Sequence, residues 1–575
     1  MDLKFFHKGW KKYFLSGILI FSLLCGCSIH SSKNTNAEFK KFTFSLFQQE
    51  LSSNTLNLHY TLRSPENYGI KNTLVTFGEF STDPVTAMAS VENCRTRLKQ
   101  FPYSSLSKEN KRTYDILDSH LRLSKKGAAF LLYDEPLGPV TGIQSQLPVL
   151  LAEFPFHTKK DIDTYLELLK SSSSYFHSLI DLESLKAEKG LFMPEKVLDD
   201  VLDQCQSFLS MGEENYLFST FEHRIQQLDF LSQEEKNDYI KENHDRITSC
   251  LLPSYQFLFD SLSSLRHQCT NFLGVCRFPD GKKYYEFVAE RETGSSRSLL
   301  ELKTMIRKQM TEDAKKIHSL PLSDINSGSF CIGNNYPSDF VSDLKTKIKK
   351  TFPPCVSVHE TIKYVPEEME PYLSPAFYLI PCIDDISENV IYINRAHTMD
   401  ELNLYTTLAH EGYPGHLYQT TYFASRNTEP LRSLLYFGGY IEGWATYTEM
   451  GSYYLAPISK ARASFSQKSS SFLLGLYASA DIGIHYDGWT LKDTISFFER
   501  YGIKDKATIE EIYTLIVSDP GNYLKYYIGY LEFMDLKKEA VKKEGSNFSQ
   551  TEFHQKILEI GPAPFSIVKK YVLGI

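Results

Sequence analysis

His410-Glu411-Gly412-Tyr413-Pro414-Gly415-His416, followed 26 residues later by Glu442 in Glu442-Gly443-Trp444-Ala445-Thr446-Tyr447-Thr448-Glu449, decides how this chain is read. The stretch supplies two imidazoles, a carboxylate beside the first, and a later carboxylate. Zinc takes histidine nitrogen and carboxylate oxygen, and a catalytic site keeps three protein ligands and one position for water. Bound water loses a proton far more easily than bulk water, and a neighbouring glutamate can take it. The expected chemistry is hydrolysis of an amide bond. The spacing is irregular, however. Zinc-protease helices place two histidines four apart on one face. Here they stand six apart, which on an ideal helix turns the second roughly 120° from the first. Pro414 removes a helical donor and Gly415 tolerates unusual dihedrals. A break there is expected to swing His416 back beside His410.

Upstream of this stretch the chain reads as helix after helix. Residues 39–54, 84–100, 106–124, 158–180, 193–210 and 232–266 carry apolar residues at three-to-four spacing. Gly138 to Gly142 and Pro148 read as an extended loop. Near the middle the period changes: Val356 to Val365, Ala376 to Pro381 and Asn389 to Asn394 are short, β-branched or aromatic, and bounded by turns. They predict a small antiparallel sheet. Thr398 or Asp400 then caps a helix leading into His410. The expected fold is mainly α (α+β): a large helical body over 39–575, readable as two lobes with the catalytic part at about 355–575. The sheet and a deep cleft would lie beside the metal-site helix.

Composition excludes one class of function. The 575 residues carry a net charge of −8, and residues 1–26 hold four lysines against one aspartate, leaving the remainder at −11. Without basic clusters, a nucleic-acid partner is not expected. Lys4, Lys8, Lys11 and Lys12 precede an apolar stretch, Tyr13 to Leu24, too short to read as a membrane span. Leu24-Cys25-Gly26-Cys27 resembles a bacterial lipobox. The expectation is a signal peptide at 1–26, lipidation at Cys27, a tether over 27–38, and an extracytoplasmic body anchored to the membrane. None of the other eight cysteines has zinc-ribbon spacing, and their pairing is open.

The motifs together resemble the bacterial domain-of-unknown-function 885 family, often lipoproteins, grouped with the gluzincin-type metallopeptidases. The matching residues are 410–416, 442–449, Asp481-Ile482-Gly483-Ile484-His485 with Gly488-Trp489, and Asp519-Pro520-Gly521 through Tyr526 and Gly529. Ser374 to Tyr378 and Tyr392-Ile393-Asn394 match as well. The resemblance covers nearly the whole mature chain and is densest from about 355 to 545. Asn522-Tyr523 stands where the family usually has Gln-Ala.

The resemblance implies a zinc ion, one per chain, held by His410, His416 and Glu442, with Glu411 as general base. Glu449 lies seven residues after Glu442, nearly on one helical face. It reads as a partner orienting a histidine, or equally as surface charge. Tyr526 and His485, by analogy with zinc peptidases, are candidates to steady the oxyanion, with Asp481 beside His485 as a supporting carboxylate. Tyr392 and Asn394 mark a strand that gluzincins use as a ledge for extended peptide. The reading is a lipid-anchored zinc peptidase whose partner is a peptide substrate. The alternative is a non-catalytic peptide- or glycan-binding lipoprotein, favoured if the Pro414-Gly415 insertion displaces the ligands. No Gly-x-Ser-x-Gly nucleophile motif is present.

Overall fold

A computed structural model describes residues 35–270, 273–325, 330–365, 367, 370 and 373–575. The expected signal peptide and Cys27 lie outside the described residues. Residues 35–38, read from the sequence as the end of a tether, are helical. A helix begins at Thr35, and Thr35 and Phe39 are buried on its inner face.

The amino-terminal half is helical where the spacing predicts. Thr158 and Asp161 form a reciprocal cap at the start of Lys159–Lys170, and Ser232 with Glu235 does the same for Gln233–Arg246. The helix expected over 158–180 is two helices, because Ser171 ends Lys159–Lys170 and a second runs Ser172–Glu188. Pro148 sits inside the helix Ile143–Ala152, not in a loop. Leu147, Leu150 and Leu151 are buried there, and their packing outweighs the donor that proline lacks. One hydrophobic core runs from Leu56 to Leu573, with a smaller cluster around Phe39, Leu117 and Leu431.

The elements around the site are three strands, β1 His359–Tyr364, β2 Ala376–Leu379 and β3 Glu388–Ile393, and eight helices. These helices are α1 Gly281–Thr293, α2 Leu299–His318, α3 Glu401–Glu411, α4 His416–Ala424, α5 Gly438–Ser452, α6 Lys460–Ile482, α7 Leu491–Glu499 and α8 Asn522–Glu544. The strand order is β1-β3-β2. β2 runs antiparallel to β3, but β1 runs parallel to it, so the sheet is mixed and not purely antiparallel. The return strand is β2, antiparallel to both, so β3 enters in the direction of β1.

Helices α5 and α8 cross backbone to backbone. A Cβ on Gly443 would lie 2.5 Å from Gly529, and one on Gly529 would lie 2.2 Å from the Gly439 carbonyl. Only glycine permits this approach. It sets Glu442, on α5, and Tyr526, on α8, in adjoining helices. All eight described cysteines carry free thiols. Among the described residues, no helix is long and apolar enough to cross a membrane.

Candidate metal centre

Asp400 caps α3, its side chain accepting the Asn403 amide at 2.7 Å. The helix ends at Glu411, the Tyr413–Pro414 peptide is cis, and α4 starts at His416. Gly415 permits the break, since a Cβ there would stand 1.8 Å from the His410 carbonyl oxygen. Trp444, two residues beyond Glu442, donates from Nε1 to the Pro414 carbonyl at 2.9 Å. This bond ties the break to α5.

The turn returns His416 to His410. Their Nε2 atoms are 3.2 Å apart, with ring planes at 76°. Glu442 Oε2 lies 3.2 Å from His416 Nε2 and 3.7 Å from His410 Nε2. Tetrahedral zinc with bonds near 2.0–2.1 Å requires donor atoms about 3.3 Å apart. The three edges fit that figure, so His410, His416 and Glu442 suit a zinc-sized cation. Donor atoms of His410, Glu411 and His416 also fall within 4.8 Å of one another. Glu411 Oε1, at 4.0 Å from His410 Nε2, is farther out than Glu442 and stands beside the trio. Its Oε2 accepts the backbone N–H of Tyr378 on β2 at 2.9 Å, which fixes the carboxylate.

Glu449 is 4% exposed, so it is not a surface charge. It accepts from His410 Nδ1 at 3.0 Å, which turns Nε2 toward the trio. Burial alone would push the His410 pKa down, but the carboxylates of Glu442, Glu449 and Glu411 around it raise it to about 10. The pocket therefore favours positive charge strongly.

Tyr526 is buried, its ring 6.4 Å from that of His410. His485 has other duties. Its Nδ1 accepts the Val275 N–H at 3.2 Å, and its Nε2 donates to the Ile516 carbonyl at 2.7 Å. Burial lowers its pKa to about 4. With both nitrogens spent on backbone, this ring has no donor left for an oxyanion. Asp481 does not pair with it. Its carboxylate accepts the Tyr285 hydroxyl at 2.5 Å and the Gly521 N–H at 3.0 Å, holding the start of α8.

The ledge expected at Tyr392 and Asn394 is also corrected. β3 lies between β1 and β2, so both of its edges are paired. The Tyr392 hydroxyl donates to Glu153, and Asn394 Nδ2 donates to the Glu370 and Leu373 carbonyls. The strand against the site is β2, which carries Tyr378.

Tyr436 was not foreseen. Its hydroxyl makes no hydrogen bond among the described residues. It lies 3.2 Å from the place where a Gly438 Cβ would be, one turn before Glu442 on the same face of α5. Burial, then the charges of Glu442, Glu292 and Asp519, hold its pKa well above the usual range. No sequence signal marks it beyond its place just ahead of the α5 motif.

Among curated protein sequences none matches the chain. Two solved structures share its fold. A candidate lipoprotein from Colwellia psychrerythraea is 19% identical, covering 95% of this chain and 99% of its own, with a TM-score of 0.80. A candidate lipoprotein of unknown function from Shewanella oneidensis is 18% identical, covering 95% and 100%, with a TM-score of 0.61. Trypanosoma cruzi metallocarboxypeptidase 1 aligns over 95% of this chain and 96% of its own at 9% identity, but its TM-score of 0.39 is too low to argue a common fold. Residues 80–320 and 336–572 match the family described as "Bacterial protein of unknown function (DUF885)", and the chain belongs to that family.

Proposed function

We propose that this protein is a zinc-dependent hydrolase of peptide bonds, held outside the cytoplasm by a lipid on Cys27. The observation that carries this reading is the donor trio at tetrahedral edge lengths with Glu411 fixed beside it. His410, His416 and Glu442 would hold the ion. When bound, zinc would lower the pKa of water and polarise a carbonyl.

The chain's own groups do the rest. Glu411 Oε1 takes a proton from the attacking water and delivers it to the leaving amine nitrogen. The Tyr378 N–H keeps the other oxygen still during both transfers. Tyr526 or Tyr436 donates a hydrogen bond to the oxygen on which charge develops. An extended peptide would lie along the outer edge of β2, since β3 has no free edge. The binding-only alternative needs displaced ligands, and nitrogens 3.2 Å apart give it no support. The anchor rests on the lipobox-like Cys27 and on the two solved relatives being named as candidate lipoproteins.

The test is elemental analysis of the purified protein together with Glu411→Gln. About one zinc per chain is expected in both forms, with peptide turnover in the variant reduced by about 10²–10⁴-fold. A variant that still turns over at the parent rate would remove Glu411 as the base. A protein that takes up no metal would remove the hydrolase.

A further inference from the structure

The motif Asp481 to His485 with Gly488-Trp489 is left over once the metal centre is assembled. It ends α6 in a π-helical turn, Gly483–Asp487, closed by Gly488 in the left-handed region at φ 80°. Such turns are frequent at functional sites. Trp489 folds back so that its ring lies on Gly483, where a Cβ would be 2.3 Å from it. The same ring lines a cavity of about 1180 Å³ between α2, α6 and α7. None of the metal-centre side chains lines it.

The cavity has two chemically distinct parts. Met310, Phe472, Trp489 and Phe497 give it an apolar wall, with the Trp489 and Phe497 rings 4.9 Å apart. Lys303, Arg307, Lys315 and Arg500 stand around it against a single acid, Asp487. This reverses the balance of a chain with 62 basic and 70 acidic residues. Asp487 is spent on Lys303, which it meets at 2.7 Å through both oxygens. Arg307, Lys315 and Arg500 form no ion pair among the described residues, so the net cationic field of the rim is theirs.

A small polar anion would answer the rim but leave the aromatic wall in water. A neutral acyl chain would cover the wall and leave the cations without a counter-charge. Pockets for drug-sized ligands span about 300–1,000 Å³, so the volume admits something larger than a simple metabolite. We propose that this cavity is a binding site for a single-chain anionic amphiphile. The chain lies against Phe472, Trp489 and Phe497, and the acid head group faces the unpaired cations of the rim, Arg307, Lys315 and Arg500. The site is independent of the metal centre and of its chemistry.

The experiment titrates the full-length protein with laurate below its micelle concentration, following tryptophan emission and heat. Dodecyltrimethylammonium provides the same chain under the opposite head, and vesicles of anionic phospholipid provide a membrane surface. Of the three tryptophans, Trp10 lies in the expected signal peptide and Trp444 is fully buried, which leaves Trp489 as the reporter at this site. The expected result is one laurate per chain with a change in emission, and at least tenfold weaker binding of the cationic amphiphile. Arg307→Glu with Lys315→Glu should weaken laurate at least tenfold and favour the cation. Arg307 and Lys315 are exposed, and an unchanged melting midpoint will show that the variant is folded. Should that variant unfold, Arg500→Glu carries the same comparison. Equal affinity for both heads, or unaltered laurate binding in the charge-reversed protein, would overturn the proposal. So would binding to vesicles without binding to monomeric laurate, which would make this a membrane-docking face.

Discussion

The buried carboxylates of the amino-terminal half and those of the candidate metal centre meet opposite kinds of partner. Glu183 and Lys186 are both fully buried, and Lys186 donates to Glu135 at 2.6 Å and to Glu183 at 2.9 Å. Burial would lower the lysine pKa, but the two glutamates raise it. Burial, then the charge of Glu135, lifts Glu183 to about 8. One lysine of the chain itself therefore meets both acids of this cluster. At the metal centre, Glu411, Glu442 and Glu449 face imidazoles, whose positive charge is optional. The difference teaches what each is for. A buried acid cluster with its own lysine is finished by folding, whereas one facing imidazoles favours a proton or a metal ion.

The strongest way to break this contrast is to remove one partner from each cluster. His416→Ala or Glu442→Ala should take zinc from about one per chain to near zero by elemental analysis, with loss of turnover. Lys186→Met should leave the zinc in place and cost about 3–5 kcal/mol of stability, because it removes the one cation facing two acids. The shift is read from the denaturant midpoint. A lysine variant that lost metal instead would merge the two clusters into one system. A smaller effect is expected from Glu449→Gln, which keeps the ligands but weakens their orientation. Zinc affinity, measured by competition with a chelator, should fall about 10–100-fold.

Proton linkage sharpens the comparison further. In the metal-free protein the His410 pKa is raised from 6.5 to about 10. That contribution to stability is fully present below pH 6.5 and is lost as pH rises through about 10. Bound zinc replaces the proton, so the gap in Tm between metal-bound and metal-free protein should widen between those limits. A constant gap would show that His410 does not hold the proton. The smallest effect is expected from Tyr436→Phe, with kcat lowered, KM little changed and stability within about 1 kcal/mol, because the hydroxyl makes no hydrogen bond to lose.

Local rules made much of this legible in the sequence. Thr158 and Asp161 announce a helix start, Ile162, Leu166 and Leu169 give its inner face, and all three are buried. Pro414-Gly415 announced a break, and the break is there. What stayed hidden depends on residues distant in the chain. Strand order is one case: nothing in Glu388–Ile393 reveals that partners will take both of its edges, which moves any ledge to β2. His485 is another. Its spacing from Asp481 suggested a pair, yet each bonds to a different segment, Val275 and Ile516 for one, Tyr285 and Gly521 for the other. Tyr436 escaped because a loop tyrosine acquires its meaning only from the helix face it ends above.

The single bond from the Trp444 indole to the Pro414 carbonyl has a consequence for how the protein would acquire its ion. It clamps the segment carrying both imidazoles to the helix carrying the third donor, so the cage stands ready before any guest arrives. Metal uptake should then leave the radius of gyration unchanged, and its rate should be governed by passage through the surface and not by closure of the walls.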